Sequence, residues 1–403
     1  MSGYLLDWLN LIGRCIHLVT GIAWIGASFY FVWLDNHLQP PDAAAQARGV
    51  GGELWAVHGG GFYHAQKYRT APAGLPPHLH WFYWEAYSTF LSGLFLLCVQ
   101  YYGQAQTYLI DPAVAPLSPH EAVAIGVAFI AGGWLVYDLL CRTALAEDGT
   151  RLGLTLAGLL SVAAWALCHL FSGRGAFIEF GAMLGTIMVA NVFFVIIPGQ
   201  REMVRMMRAG RTPDPRLGER GKLRSVHNTY FTLPVLFTMI SNHYAMLFGA
   251  RYNWLVLIAA AAAGALIRVY FVLRHRSAPG EMTAPWPVLA GLIIVALLFS
   301  ALIPMPAGGR MRATAQAPQQ QFGHVQMIVA ARCMPCHSVH PTQAGVASAP
   351  KGLLLDTPEA ILAHTVQMRQ QLVTHAMPLG NATGMSTTER ALLIEWIDRG
   401  SVH

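Results

Sequence analysis

Eight apolar runs divide the first 304 residues, near 11–34, 84–103, 120–140, 153–171, 177–197, 229–249, 253–273 and 286–304. Each holds about 19–24 residues, enough to cross a hydrocarbon core of about 30 Å as a helix. The pattern stops near residue 305. Pro304, Pro306, Gly308 and Gly309 lead into a glutamine-rich tract ending at Gln321, which reads as a linker. The expected organisation is an eight-helix transmembrane bundle over 1–304, a linker over 305–321 and a small soluble domain over 322–403. The expected fold class is all-α.

Composition agrees with the apolar runs. Hydrophobic residues make up 54% of the chain and charged residues 11%, against about 25% charged in a soluble domain. The net charge of +6 does not point to nucleic acid, because the cations cluster in a few loops. Almost all lie after the first, third, fifth and seventh runs, including Arg48, Lys67, Arg69, Arg142, Arg151 and an arginine-rich loop over 201–224. Those loops are therefore expected on the cytoplasmic side, and both termini in the periplasm of a bacterial inner membrane. The 201–224 loop is expected only to anchor topology and touch anionic lipid. No cleavable signal peptide is expected, because the first apolar run is long and lacks a basic leader.

Four cysteines, Cys15, Cys98, Cys141 and Cys168, sit in or beside apolar runs and read as small hydrophobes. The other two form Cys333-Met334-Pro335-Cys336-His337. Thiols at that spacing can each add to a vinyl group of one haem, and the adjacent histidine is placed to ligate iron. A zinc site would need two further ligands nearby. Met377 is the preferred sixth ligand, with Met385, Met368, His364 and His375 as competitors. Ser386 with Glu389 three residues on forms a capping box, and Gly400 marks a stop, which predicts a helix between them. Its apolar face would hold Leu392, Leu393, Trp396 and Ile397. This order of elements resembles a small class I cytochrome c carrying one covalent haem c.

Ionisable residues inside apolar runs are functional candidates by default. Arg14, His17, His169 and His243 share the periplasmic depth. Three readings stay open for them: ligands of a second, non-covalent haem b with Arg14 on a propionate, hydrogen-bonding partners of a substrate, or separate helix-end histidines in headgroup water. A second cluster lies on the cytoplasmic side. His58, Lys67, Glu85 and His227 offer acid–base chemistry, and Gly60, Tyr63, Asn228 and Thr229 offer binding groups. The mixture suits a planar, polar, anionic heterocycle. The competing reading is an interfacial aromatic belt.

Several of these segments occur together in a known family. His17…Gly21…Trp24-Ile25-Gly26, the stretch Gly52 to Tyr63 with His58-Gly59-Gly60-Gly61, the stretch His227 to Tyr244, and the Cys333–His337 box resemble the membrane-bound, cytochrome c-fused urate oxidases of bacteria (the PuuD type). The resemblance implies oxidation of urate to 5-hydroxyisourate, with the added oxygen taken from water and no hydrogen peroxide formed. Electrons would leave through the fused haem c to a soluble cytochrome c or a terminal oxidase. Because haem takes one electron at a time, a radical intermediate or a second carrier is implied. Urate in the cytoplasmic glycine–histidine segment would sit across the bilayer from haem c, whereas the periplasmic histidines would place it close by. The alternative functions are a cytochrome subunit of a quinol-oxidising respiratory complex, or a transporter tethered to a cytochrome. A transporter should show repeated halves with interrupted helices, and the sequence has none.

Overall fold

The structure is a computed structural model that describes residues 2–69, 72, 74–276, 283–302, 318–344, 346 and 348–400. Its long helices are α1 (Ser2–His37), α2 (Trp84–Leu96), α3 (Pro119–Leu140), α4 (Gly149–Leu170), α5 (Gly173–Ala190), α6 (Ile197–Arg208), α7 (Pro215–Ser241), α8 (Asn253–Arg276) and α9 (Trp286–Ala301). Helix α2 runs on into a π-helical turn at Leu97–Tyr102, and a second such turn, Asn191–Ile196, joins α5 to α6. Among the described residues, five helical segments are long and apolar enough to cross a membrane: Tyr4–His37, Pro119–Leu140, Gly149–Leu170, Gly173–Arg208 and Asn253–Arg274. Trp286–Ala301 is apolar but shorter.

Local chemistry sets several boundaries. Ser118 caps α3 with Pro119 at its first position, and Glu121 closes the capping box. Asp214 caps α7 ahead of Pro215. This cap corrects the reading of 201–224 as a loop, because α6 and α7 occupy most of it and Arg224 is buried within α7. The expected run 229–249 likewise breaks at Asn242, where α7 ends.

Helix α5 is the centre of the bundle, packed against α3, α4 and α7. Phe177, Phe180, Met183, Leu184 and Ile187 are fully buried along it. Gly181 lets α7 close onto α5, since a Cβ there would collide with Thr238. Small residues allow this approach where lipid removes most of the hydrophobic drive between helices. The outer face of α1 stays bare, with Leu18, Val19 and Ile22 about two-thirds exposed. Such long apolar helices are compatible with a membrane protein.

The fold is mostly helical but not all-α. Strands β1 (Val50–His58) and β2 (Gly61–Tyr68) form an antiparallel hairpin. Gly59 and Gly60, both at positive φ, make its two-residue turn.

The C-terminal unit contains α10 (Pro318–Arg332), α11 (Thr365–Val373) and α12 (Thr387–Asp398), with a shorter helix at Pro358–Ala363. Helix α10 opens at Pro318, inside the expected linker, and residues 303–317 lie outside the described residues. Ser386 and Glu389 form the expected capping box. Leu393 and Trp396 are buried in the unit's core with Leu392 and Ile397 beside them, and Phe322 stacks on Trp396 at 5.6 Å. The unit sits on the bundle. Gly380, at φ 56°, lies so near the bundle loop that a Cβ would be 2.7 Å from the Ile110 carbonyl, and Ala376 is buried in the bundle's own core.

Candidate functional site

A cavity of about 1100 Å³ lies where the C-terminal unit meets the bundle. Its roof carries Cys333, Cys336, His337 and Met377, and its floor reaches Asn228 and Thr232 on α7. Pockets for one drug-sized ligand run to about 300–1,000 Å³, so this space can take more than one occupant.

The roof residues fit a covalent haem. Both thiols and the histidine face one space, as attachment requires. His337 Nδ1 lies 3.1 Å from the Leu353 carbonyl oxygen. A carbonyl only accepts, so Nδ1 carries the proton and Nε2 keeps the lone pair a metal needs. Burial pushes the Cys333 thiol up to about 12 and also raises Cys336.

The loop bearing Met377 is tied down on several sides. Buried Arg390 donates Nη1 to the Met377 carbonyl at 2.7 Å and to the Leu372 carbonyl at 3.0 Å. Arg332 donates to Thr383 O at 2.6 Å, and Asn381 Oδ1 accepts from Met385 N at 2.9 Å. Met368 and Met385 also reach the cavity but are buried in the unit's apolar core. His364 and His375 do not line the cavity.

The bundle side of the cavity collects Arg14 and His17 from α1, Arg174 from α5 and His243 just past α7. His17 Nδ1 lies 3.1 Å from both Thr89 O and Ser92 Oγ. Arg14 is held by Asn10 (2.6 Å) and Gln100 (2.8 Å). Arg174 has its Nε buried without a partner. His169 is not brought to this wall. It is exposed on α4, with Nδ1 on the Trp165 carbonyl at 2.7 Å.

The cytoplasmic-side candidates are scattered. His58, Gly60, Tyr63 and Lys67 belong to the hairpin, whose Trp55, Val57, Phe62 and Tyr63 are more than half exposed. Lys67 Nζ is paired with Asp35 at 2.7 Å. Glu85 is half-buried on α2 with Oε2 unpartnered. Thr229 is buried and donates to Ser225 O at 3.1 Å. Of these groups only Asn228 lines the cavity, and His58, Lys67, Glu85 and His227 do not.

His227 and Asn228 belong to a buried polar network that sequence reasoning missed. Asn191 Nδ2 donates to Tyr137 Oη (3.1 Å) and Asn228 Oδ1 (2.9 Å). Tyr137 Oη in turn lies 2.8 Å from His227 Nδ1. Arg224 donates to Asn191 Oδ1 (3.3 Å) and Asp138 Oδ1 (2.7 Å), and Arg142 reaches the other Asp138 oxygen at 2.7 Å. The available signal was the pair of charges, Asp138 and Arg224, near apolar runs. Glu179 gave the same signal and is fully buried in α5, with the Tyr102 hydroxyl 3.4 Å from Oε2. Among the described residues, no three His, Cys, Asp or Glu side chains gather as a metal site.

Comparison with known proteins gives one match. No curated protein and no solved structure matched the chain. The family model described as urate oxidase, N-terminal, matches residues 3–300, which covers the whole bundle and both walls that the bundle gives the cavity. The chain belongs to the urate oxidase N-terminal family.

Proposed function

We propose that the protein oxidises urate to 5-hydroxyisourate inside the roofed cavity, with haem c as the immediate electron acceptor. The observation that carries this reading is the shared space. The Cys333–His337 box and the cationic wall of the urate oxidase-family bundle open onto one cavity.

Urate is a monoanion at neutral pH. Its conversion with one water to 5-hydroxyisourate releases two electrons and one proton. Water adds at C5, so its oxygen becomes the new hydroxyl and no hydrogen peroxide forms. Cys333 and Cys336 would hold haem c by two thioethers, His337 Nε2 and Met377 would ligate its iron, and the group would supply a one-electron acceptor. Leu353 O fixes the His337 ring, and Arg390 fixes the backbone at Met377.

The setting proposed is an eight-span bundle in a bacterial inner membrane, with the C-terminal unit and both termini in the periplasm. Trp84–Tyr102, the end of α7 and α9 would complete the spans beyond the five long apolar segments. Electrons would pass on to a soluble cytochrome c or a terminal oxidase. Purified full-length protein mixed anaerobically with urate should show the reduced haem c bands. If urate leaves the haem oxidised while dithionite reduces it, the reading fails.

A further inference from the structure

We infer that Arg14 and Arg174 clamp the urate anion and that His17 Nε2 takes the proton released in its oxidation. This rests on the reading above and deepens it.

The two cations reach one wall from different helices. Arg14 is pre-set by Asn10 and Gln100, so its guanidinium is positioned before any ligand arrives. Arg174 lies over the Phe248 ring at 5.1 Å, and its buried Nε has no partner. A buried guanidinium N–H left unpaired is costly. A bound anion removes that cost, and a planar guanidinium suits a flat, delocalised one. Both arginines lie within electrostatic reach of Tyr101 and Tyr108, which keeps the two charges at one end of the cavity.

His17 is held in one tautomer. Its Nδ1 faces the Thr89 carbonyl, which can only accept, so Nδ1 bears the proton. Ser92 Oγ spends its own proton on Ser88 O at 2.7 Å, so it too accepts from Nδ1. The ring lies against Gly93, where a Cβ would come 2.9 Å from its Cε1. Nε2 is left as a lone-pair base on a cavity-lining side chain, one helical turn from Arg14. In the balanced step, a nitrogen–hydrogen bond of urate breaks and its proton moves to Nε2. Two electrons would leave one after the other, haem c handing the first to a soluble cytochrome c before it takes the second from the urate radical, and water adds to the oxidised ring.

A second haem on His17 and His243 is the competing occupant. His169, the third imidazole at this depth, faces away. Around the cations stand Gln100 and Asn242, with the Tyr101 hydroxyl 3.2 Å from Asn242 Oδ1. Amides and hydroxyls in this number suit a small polar heterocycle, not the apolar face of a porphyrin.

The test uses the full-length protein with covalent haem c in detergent. Binding is read by equilibrium dialysis of radiolabelled urate against protein pre-reduced with dithionite, which cannot turn over. Arg174→Gln should weaken binding by roughly 10- to 100-fold, the loss of a charge-assisted hydrogen bond, and Arg174→Lys should recover part of it. His17→Gly should bind urate nearly as well as the parent, yet slow urate-driven haem reduction by about 10²–10⁴-fold. Added imidazole should restore that rate.

Unchanged dialysis constants in Arg174→Gln would overturn the clamp. So would an acid-acetone-extractable haem that the parent carries and His17→Gly loses. If labelled urate binds as described but the oxidised parent is not reduced by it, the clamp stands and the proposed reaction falls.

Discussion

Two polar clusters sit inside this bundle, and they differ in what they leave unused. In the network of Asp138, Tyr137, Asn191, Arg224, His227 and Asn228, no side chain has a fully buried polar atom without a partner. The wall of Arg14, His17 and Arg174 is open, with an unpaired buried Nε and an imidazole nitrogen left as a free lone pair. A satisfied network rigidifies helices, whereas spare hydrogen-bonding capacity facing a cavity is a demand for a ligand. Both clusters contain histidine and arginine, so residue type alone does not separate structure from chemistry here.

The sharpest way to break the contrast is to open the first network. Arg224→Leu takes the donor from Asn191 Oδ1 and from one oxygen of Asp138, leaving that carboxylate to the mostly exposed Arg142, and should cost about 3 kcal/mol. Denaturation in detergent should show it, while the same loss of charge in Arg174→Gln should leave the midpoint nearly unchanged. Equal effects would erase the distinction. Next in size is Arg390→Met, which leaves two carbonyls without their donor and should cost the C-terminal unit about 1–3 kcal/mol. The haem potential should shift with it, because the Met377 backbone loses its anchor. Met377→His should lower that potential, since a thioether ligand raises it relative to imidazole. An unaltered midpoint in redox titration would move the sixth ligand elsewhere.

His58→Ala tests the hairpin. Its exposed turn lies apart from the cavity, so urate-driven reduction should stay within about twofold of the parent, as for surface changes generally. A lost rate would return the chemistry to the glycine–histidine turn. The smallest effect concerns Glu389. Its hydrogen bonds to Ser386 and its pairing with Arg332 at 3.1 Å hold its carboxyl below the ordinary value of 4.5. A lowered folded value stabilises above the unfolded one and is lost as pH falls through it. Glu389→Gln should therefore cost under about 1 kcal/mol at neutral pH, and the gap should close as pH falls through the lowered folded value.

Local signals were legible in the sequence. The capping box at Ser386 and Glu389 and the stop at Gly400 depend on neighbours a few residues apart, and the helix between them is where they place it. The hairpin was equally local. Trp55 and Val57 alternate with the strand period opposite His64 and Phe62 around a Gly-Gly turn. The density of histidine and glycine there drew a chemical reading instead. The rotation of helices about their own axes was not legible. His17 and His169 share a depth, yet one faces the cavity and the other faces out. Hydropathy fixes depth, while packing fixes rotation. Nor could the neighbours of His227 be read along the chain, since the tyrosine that bonds it is 90 residues away.

The seating of Gly380 and Ala376 on the bundle has a consequence for how this chain is divided. The family match ends at residue 300, yet the ceiling of the chamber is built from residues beyond 330. The boundary drawn by sequence similarity therefore cuts through the cavity. The C-terminal segment forms one side of that cavity and does not hang free of the bundle. Replacing it with an unrelated domain would leave the bundle's cationic wall without the surface that faces it.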